Sequence, residues 1–374
     1  MRTGLDVTPL LGRPTGVGRY VGALARALVA ARQPDDEWLG MAFTLRGREL
    51  LPSLLPEGMS LTGAPVPARA LHLAWARTGF PTVGALGGRV DLFHATNFVL
   101  PPTGRAAGVV TVHDLSYLRT PETVSRASAG YVDLVPRSLS RAAVVCVPSE
   151  AVAAEVRETY PQAADRVLVT PLGVDPAWAA APPADHALRL RLGLPADYLV
   201  VSGSLEPRKN LPFLLEVHRA LRAEDPDWPA LVLVGPDGWG PSLDLGRHPP
   251  GSVVLTGYLD DDDLRRVVAG SRALLFPTRY EGFGLPPLEA FACGTPVVAS
   301  DLPVVREVVG PDADLRHLAP VGDHDAWASA LLSVVRAGEV PGTADRRRAR
   351  AGGFTWSGTA AATRQAYARA LTGR

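Results

Sequence analysis

"YLVVSGSLEPRKNLPFLLEVHRALRA", residues 198–223, carries the pattern that decides the fold. It starts as an unbroken apolar run, turns through Gly203 and Ser204, crosses a charged cluster (Glu206, Arg208, Lys209) and continues as a helix-length segment with an apolar periodicity. A short continuous apolar run is the signature of a strand buried on both faces, and a following helix is what such a strand needs to reach a parallel neighbour. The same alternation recurs along the chain. "RVDLFHA", "AGVVTVH", "AAVVCVPS" and "RVLVTPLG" read as strands in the first half. "PALVLVG", "SVVLTG", "ALLFPT" and "TPVVAS" do so in the second. The expectation is α/β, with two doubly wound Rossmann-like sheets, one per half.

The chain has 374 residues, which suits two domains. "PLGVDPAWAAAPPADHA" is Pro- and Ala-rich without periodicity, so the boundary is expected between about 172 and 190. "FTWSGTAAATRQAYARAL" reads as a final helix with Ser357 as its N-cap. Net charge is zero and no basic stripe stands out, which excludes nucleic acid as the expected partner. No run of about 18 apolar residues suggests a membrane span. "MRTGLDVTPL" lacks an export signal, and Cys146 and Cys293 sit in separate apolar surroundings. These features predict a cytoplasmic protein with two unpaired core thiols. "PARALHLAWARTGFP", 67–81, mixes Arg69, His72, Trp75, Arg77 and Phe80 with aliphatics. It reads as an ordinary amphipathic helix, with weak peripheral contact at the inner face of a membrane as the alternative.

Ligands of open α/β sheets collect beyond the carboxyl ends of the strands, so polar residues just after strands matter most. Gly16-Val17-Gly18-Arg19-Tyr20 follows the first strand and opens a helix, where glycines admit a ligand and the helix N-terminus favours an anion. His113-Asp114 ends a strand; His94 ends another without a companion. After "YLVVSG", Arg208 and Lys209 offer a planar fork and a compact charge, which suits a diphosphate. Of the 38 Lys and Arg residues all but Lys209 are arginine, so a lysine here is not the generic surface cation of this chain. "TRYEGFGLPPLEAFACGTPVVAS", 278–300, sets Glu281 on a loop and Glu289 in the opening turn of a helix that starts near Pro286-Pro287. Gly282 and Gly284 free the backbone between them to aim amides at a ligand. "GYLDDDDL", 257–264, reads as acids opening a helix and not as a metal site.

The combination of Gly16 to Tyr20, His113-Asp114, "EPRKN" and Glu281 and Glu289 within "EGFGLPPLEAFACGTPVVAS" resembles glycosyltransferase family 4, the retaining nucleotide-sugar enzymes of the GT-B fold. The resemblance implies two Rossmann-like domains facing across a cleft: 1–174 for the acceptor, 175–355 for the nucleotide sugar, and a helix, 356–374, returning to the first. It implies that His113, Arg208, Lys209 and Glu281 serve catalysis. Arg208 and Lys209 would neutralise the diphosphate, and Glu281 with amides near Phe283, Gly284 and Leu285 would hold the sugar and distal phosphate. Glu289 would hold the ribose, His113 a sugar hydroxyl, and Gly257, Tyr258 and Leu259 the base. Gly16 and Gly18 would shape the phosphate and acceptor side, and Gly203 and Ser204 the close approach of backbone to donor. No metal or other cofactor is expected. "HDLSYLRTPE" resembles the mannosyltransferase branch, which favours GDP-mannose as donor over UDP- or dTDP-sugars. The acceptor would be a carbohydrate, a lipid-linked sugar or a small molecule. A GT-B-like epimerase, an inverting transferase and a non-catalytic sugar-binding protein are the alternatives.

Overall fold

The computed structural model describes residues 1–12, 16–126, 128–336 and 340–373. The chain forms two compact units. One comprises Met1–Leu118, Arg126–Gly173 and Thr355–Arg374; the other comprises Arg119–Ser125 and Val174–Phe354.

The first unit holds a seven-stranded sheet, every pairing parallel. Its strands are β1 (Arg2–Asp6), β2 (Glu37–Met41), β3 (Met59–Thr62), β4 (Leu92–Ala95), β5 (Ala107–Thr111), β6 (Val144–Val147) and β7 (Val167–Val169), in the order β3-β2-β1-β4-β5-β6-β7. All residues of β4, β5 and β6 are buried, as their apolar runs require. The second unit holds a six-stranded parallel sheet. Its strands are β8 (Tyr198–Ser202), β9 (Ala230–Val234), β10 (Val253–Gly257), β11 (Leu274–Phe276), β12 (Val297–Ser300) and β13 (His317–Ala319), ordered β10-β9-β8-β11-β12-β13. Each order reverses once, between β1 and β4 and between β8 and β11. Those reversals are the places where adjacent loops leave in opposite directions and open a crevice.

All nine quoted apolar runs are strands. β2, β3 and β13 went unread: "EWLGM" opens on an exposed glutamate, and "MSLT" and "HLA" are short strands at sheet edges. The final helix is Trp356–Thr372, but its N-cap is Thr355 and not Ser357; the Thr355 hydroxyl accepts from Gly358 N–H at 3.0 Å. Asp260 caps the helix Asp261–Ala269 by accepting from Asp263 N–H, so the acidic run does helix-capping work. "PLGVDPAWAAAPPADHA" is not a bare linker, because its Trp178 is 1% exposed and its Asp185 caps the helix His186–Leu192 by accepting from Leu188 N–H. Cys146 is fully buried, whereas Cys293 is only partly so and donates to Trp178 O at 3.3 Å.

The helix Trp356–Thr372 packs on β4, β5 and β6 and on the helix Gly16–Ala30, all within the first unit. A buried chain of hydrogen bonds fastens it. Tyr367 Oη meets His94 Nδ1 at 2.8 Å, His94 Nε2 meets Thr111 Oγ1 at 2.7 Å, and Thr111 Oγ1 meets Tyr20 Oη at 3.0 Å. His94 therefore serves the architecture. Among the described residues no helix is long and apolar enough to cross a membrane. The segment 67–81 contains the helix Ala68–Arg77; it buries Leu71 and Trp75 and exposes Leu73, with Phe80 exposed just beyond it, while the side chains of Arg69 and His72 lie outside what is described.

Candidate active site

The strongest cluster lies in the second unit, at the reversal between β8 and β11. The loop after β8 carries "SLEPRKN", folded as a short turn of 3-10 helix over Pro207–Lys209. The loop after β11 carries Thr278 to Gly284. The two loops are stitched backbone to backbone: Arg279 N–H donates to Arg208 O at 2.9 Å, and the Thr278 hydroxyl lies 3.1 Å from the same carbonyl. That stitching brings together charges far apart in sequence. Lys209 Nζ sits 2.6 Å from Glu281 Oε1, Arg208 Nη1 2.6 Å from Glu281 Oε2, and Arg208 Nη2 2.6 Å from Glu206 Oε1. Thr278 adds a contact to Glu281 Oε1 at 3.2 Å, and Arg208 donates to Tyr280 O at 2.8 Å.

Lys209 is 9% exposed, so this is a largely desolvated cation held by one carboxylate and the face of Phe276, whose ring centroid is 4.9 Å from Nζ. Burial alone would raise the pKa of Glu281; the positive charges of Arg208 and Lys209 outweigh it and hold the carboxyl at about 2. The cluster is thus two cations and two carboxylates at a strand-end crevice.

The backbone beside the cluster takes positive φ at two positions. Asn210, directly after Lys209, has φ +55°. Gly284, with φ +101°, occupies the N-cap position of the helix Leu285–Cys293, a conformation an L side chain rarely adopts. Leu285 starts a helix at the crevice, but Pro286 and Pro287 carry no N–H and Leu288 N–H is given to Gly284 O at 3.4 Å, so the Leu285 N–H is what the first turn of this helix can offer an anion. Gly282 and Phe283 lie in the loop before it; Phe283 is buried edge-on to Phe354. Glu289 is not in the opening turn, since the helix begins at Leu285 and puts it one turn in. At 2% exposure it is a buried carboxylate rather than a solvated partner of the helix dipole. Gly203 and Ser204 leave β8 at the crevice, with Gly203 at φ +132°. Gly257 ends β10, two strands from β8, and Tyr258 and Leu259 follow it, Tyr258 half-exposed and Leu259 buried.

In the first unit, His113 follows β5. Its Nε2 lies 2.8 Å from Thr96 O, and its ring is flanked edge-on by Tyr20 and Phe98 at 5.0 and 5.5 Å. Burial pushes its pKa down, against the pull of Thr96 O and Asp114, which favours a neutral imidazole. The carbonyl fixes the proton on Nε2 and leaves Nδ1 as an acceptor. The two glycines of the first helix differ. A Cβ on Gly18 would lie 2.8 Å from Pro9 O, so packing already demands that glycine, whereas one on Gly16 would meet open space.

Thr278 and the tie from Glu206 to Arg208 were missed in the sequence. A threonine two residues after an apolar strand and an acid two residues before an arginine are common, and only the meeting of the loops gives them a role. Among the described residues no group of three or more His, Cys, Asp or Glu side chains is placed to hold a metal ion.

Comparison with known proteins agrees with this architecture. Residues 15–173 match the glycosyl transferase 4-like domain, and residues 196–337 match the glycosyl transferases group 1 family. The chain is 29% identical to the O-antigen chain mannosyltransferase B of Escherichia coli, over 94% of this chain and 96% of that protein. It is 31% identical to a D-inositol 3-phosphate glycosyltransferase of Saccharomonospora viridis, over 76% of this chain and 71% of that one. The sucrose-phosphate synthase of Thermosynechococcus elongatus superposes with a TM-score of 0.75 at 20% identity over 100% of both chains. Anabaena HepE in complex with UDP-glucose does so with a TM-score of 0.67 at 19% identity, over 98% of both. The fold is GT-B, and the chain belongs to the group 1, family 4 glycosyltransferases. It is a glycosyltransferase.

Proposed function

We propose that the chain moves a hexose, mannose by preference, from a nucleoside diphosphate sugar to an acceptor hydroxyl with retention, giving an α-linked product. The observation that carries this is the Arg208–Lys209–Glu281 cluster at the β8/β11 reversal, with Lys209 buried and the other two partly so. A diphosphate arriving there takes over Arg208 and Lys209 from the carboxylates. As the bond between the sugar's anomeric carbon and the phosphate oxygen breaks, its electron pair leaves with the diphosphate, where the two cations stabilise it. The acceptor oxygen bonds to the anomeric carbon, and its proton passes to the released phosphate oxygen.

Around this centre, Glu281 and the amides of Phe283, Gly284 and Leu285 hold the sugar and distal phosphate. His113, accepting through Nδ1, takes a sugar hydroxyl. Glu289 holds the ribose, 257–259 the base, Gly203 and Ser204 the diphosphate backbone, and Gly16 the phosphate and acceptor side. The mannosyltransferase from Escherichia coli supports mannose, and the UDP-glucose complex of the Anabaena protein supports a nucleotide sugar as donor.

A thermal-shift series with GDP, UDP and dTDP, followed by NMR of the product's anomeric carbon, tests it. The expected result is stabilisation by GDP above the others and an α product. Lys209→Ala should lower kcat about 10–150-fold, the worth of one charge-assisted hydrogen bond. A β-linked product, or full turnover in Lys209→Ala, overturns the assignment.

A further inference from the structure

A cavity of 210 Å³ lies in the first unit at the reversal between β1 and β4. Asp6 ends β1 and Asn97 closely follows β4, so the cavity sits at the carboxyl ends of the strands flanking that reversal, where such sheets bind ligands. Its walls are chiefly apolar. Phe43, Leu71, Trp75 and Phe93 line it, with Phe43 6.1 Å edge-on to Trp75 and 6.2 Å from Phe93. The Trp75 indole N–H is already given to Pro81 O at 2.9 Å, so its ring offers a surface and not a donor. The polar lining is small: Asp6, whose carboxylate accepts Thr8 N–H at 2.9 Å, and the hydrogen-bonded pair Asn97 and Tyr131.

The backbone here is also held out of its easy range. Phe98, between the lining residues Asn97 and Val99, has φ +59°, a conformation a bulky residue rarely adopts. Tyr131 stacks on it at 4.5 Å and keeps it there. Phe98 and Asn210 are the only non-glycine residues with positive φ among the described ones, and each adjoins the strand-end crevice of its own unit.

An apolar cavity of about 150 Å³ is enough to hold a benzene ring, whereas drug-sized ligands take about 300 Å³ or more. The present one fits a single substituted ring. We propose that it receives a ring-sized apolar group carried by the acceptor, with Asp6, Asn97 and Tyr131 meeting that group's polar substituent, so that the chain selects glycosides with a compact cyclic or aryl aglycone. This rests on the glycosyltransferase function proposed above and adds the class of acceptor.

The test compares p-aminophenyl α-D-mannopyranoside, whose amine can donate to Asp6, with methyl α-D-mannopyranoside as acceptors for the full chain. The aryl glycoside should show a KM lower by about 10-fold or more, the worth of burying one apolar ring. Val99→Phe, which fills the cavity without emptying the core, should abolish that preference while the thermal shift by GDP is kept. Trp75→Leu should weaken it in the same direction. Equal KM values for the two glycosides, or an undiminished preference in Val99→Phe, overturn the proposal. Calorimetric titration of the aryl glycoside without donor separates the two ideas. Binding to the wild type and not to Val99→Phe supports the cavity even where no sugar is transferred; no binding to the wild type overturns it. Absence of both transfer and nucleotide stabilisation counts instead against the proposed reaction.

Discussion

Lys209 is a compact ammonium in a space bounded by Glu281 Oε1 at 2.6 Å and the Phe276 ring at 4.9 Å. A guanidinium keeps the charge but is planar, larger and committed to a fork geometry. Lys209→Arg should therefore retain the fold and lose about 10-fold or more in kcat; steady-state kinetics with a confirmed donor decides it, and wild-type turnover would make the lone lysine an accident of composition. Glu281 gives a pH prediction. Its folded pKa is depressed from the usual 4.5 to about 2, so its stabilisation is complete above the unfolded value and is lost as pH falls from about 4.5 through 2. Glu281→Gln takes the carboxylate from the buried Lys209 and one of two carboxylates from the partly buried Arg208, and should cost about 3–5 kcal/mol at neutral pH. Thermal melts should show the gap from wild type constant above pH 5 and closing below it. A gap that does not change between pH 6 and pH 3 contradicts the charge coupling.

At the scale of elements, the loops that follow β8 and β11 act as one piece because Arg208 O is shared by Arg279 N–H and the Thr278 hydroxyl. The left-handed turn at Asn210 ends the first of these loops and starts the helix Leu211–Glu224. Asparagine tolerates that conformation and a β-branched residue does not. Asn210→Gly should leave stability near wild type, and Asn210→Val should cost about 1–3 kcal/mol in urea unfolding. Equal midpoints for the two variants would remove the strain argument. The elements themselves were legible where burial writes a continuous apolar run, as in "AVVCV" or "ALVLV" and also in the edge strands β7 and β10, and illegible where glutamate, glycine, serine, threonine or histidine breaks the run, as in "EWLGM", "MSLT" and "HLA".

For the whole molecule, the C-terminal helix completes the first unit. Tyr367 satisfies a fully buried histidine whose pKa burial, with the nearby His113, pushes down to about 3. The unfolded chain takes up that proton near the ordinary value of 6.5 and the folded chain does not, so this group makes stability fall as pH drops from 6.5 towards 3. Tyr367→Phe strands His94 Nδ1 and should lower stability by about 1–3 kcal/mol, read by calorimetry at neutral pH. A melting temperature equal to wild type would show that the buried chain Tyr367–His94–Thr111–Tyr20 contributes nothing to holding the helix.

The amino-acid order alone determined the α/β class, the two parallel sheets and the loops carrying "EPRKN" and "EGFGLPPLEA". Apolar periodicity, glycine and charge placement act over a few residues, and so they can be read locally. Tertiary structure alone decided which loops meet. Lys209 and Glu281 are 72 residues apart and touch only because β8 and β11 are neighbours in the sheet. It also drew Arg119–Ser125 into the second unit, joined there by Arg279 to Glu122 and by the Trp239 indole to Thr123 O. And it converged Asp6, Phe43, Trp75 and Asn97 on one cavity. Strand order and the reversal points that create such sites arise from how distant segments share a core, and no local pattern in the chain encodes that choice.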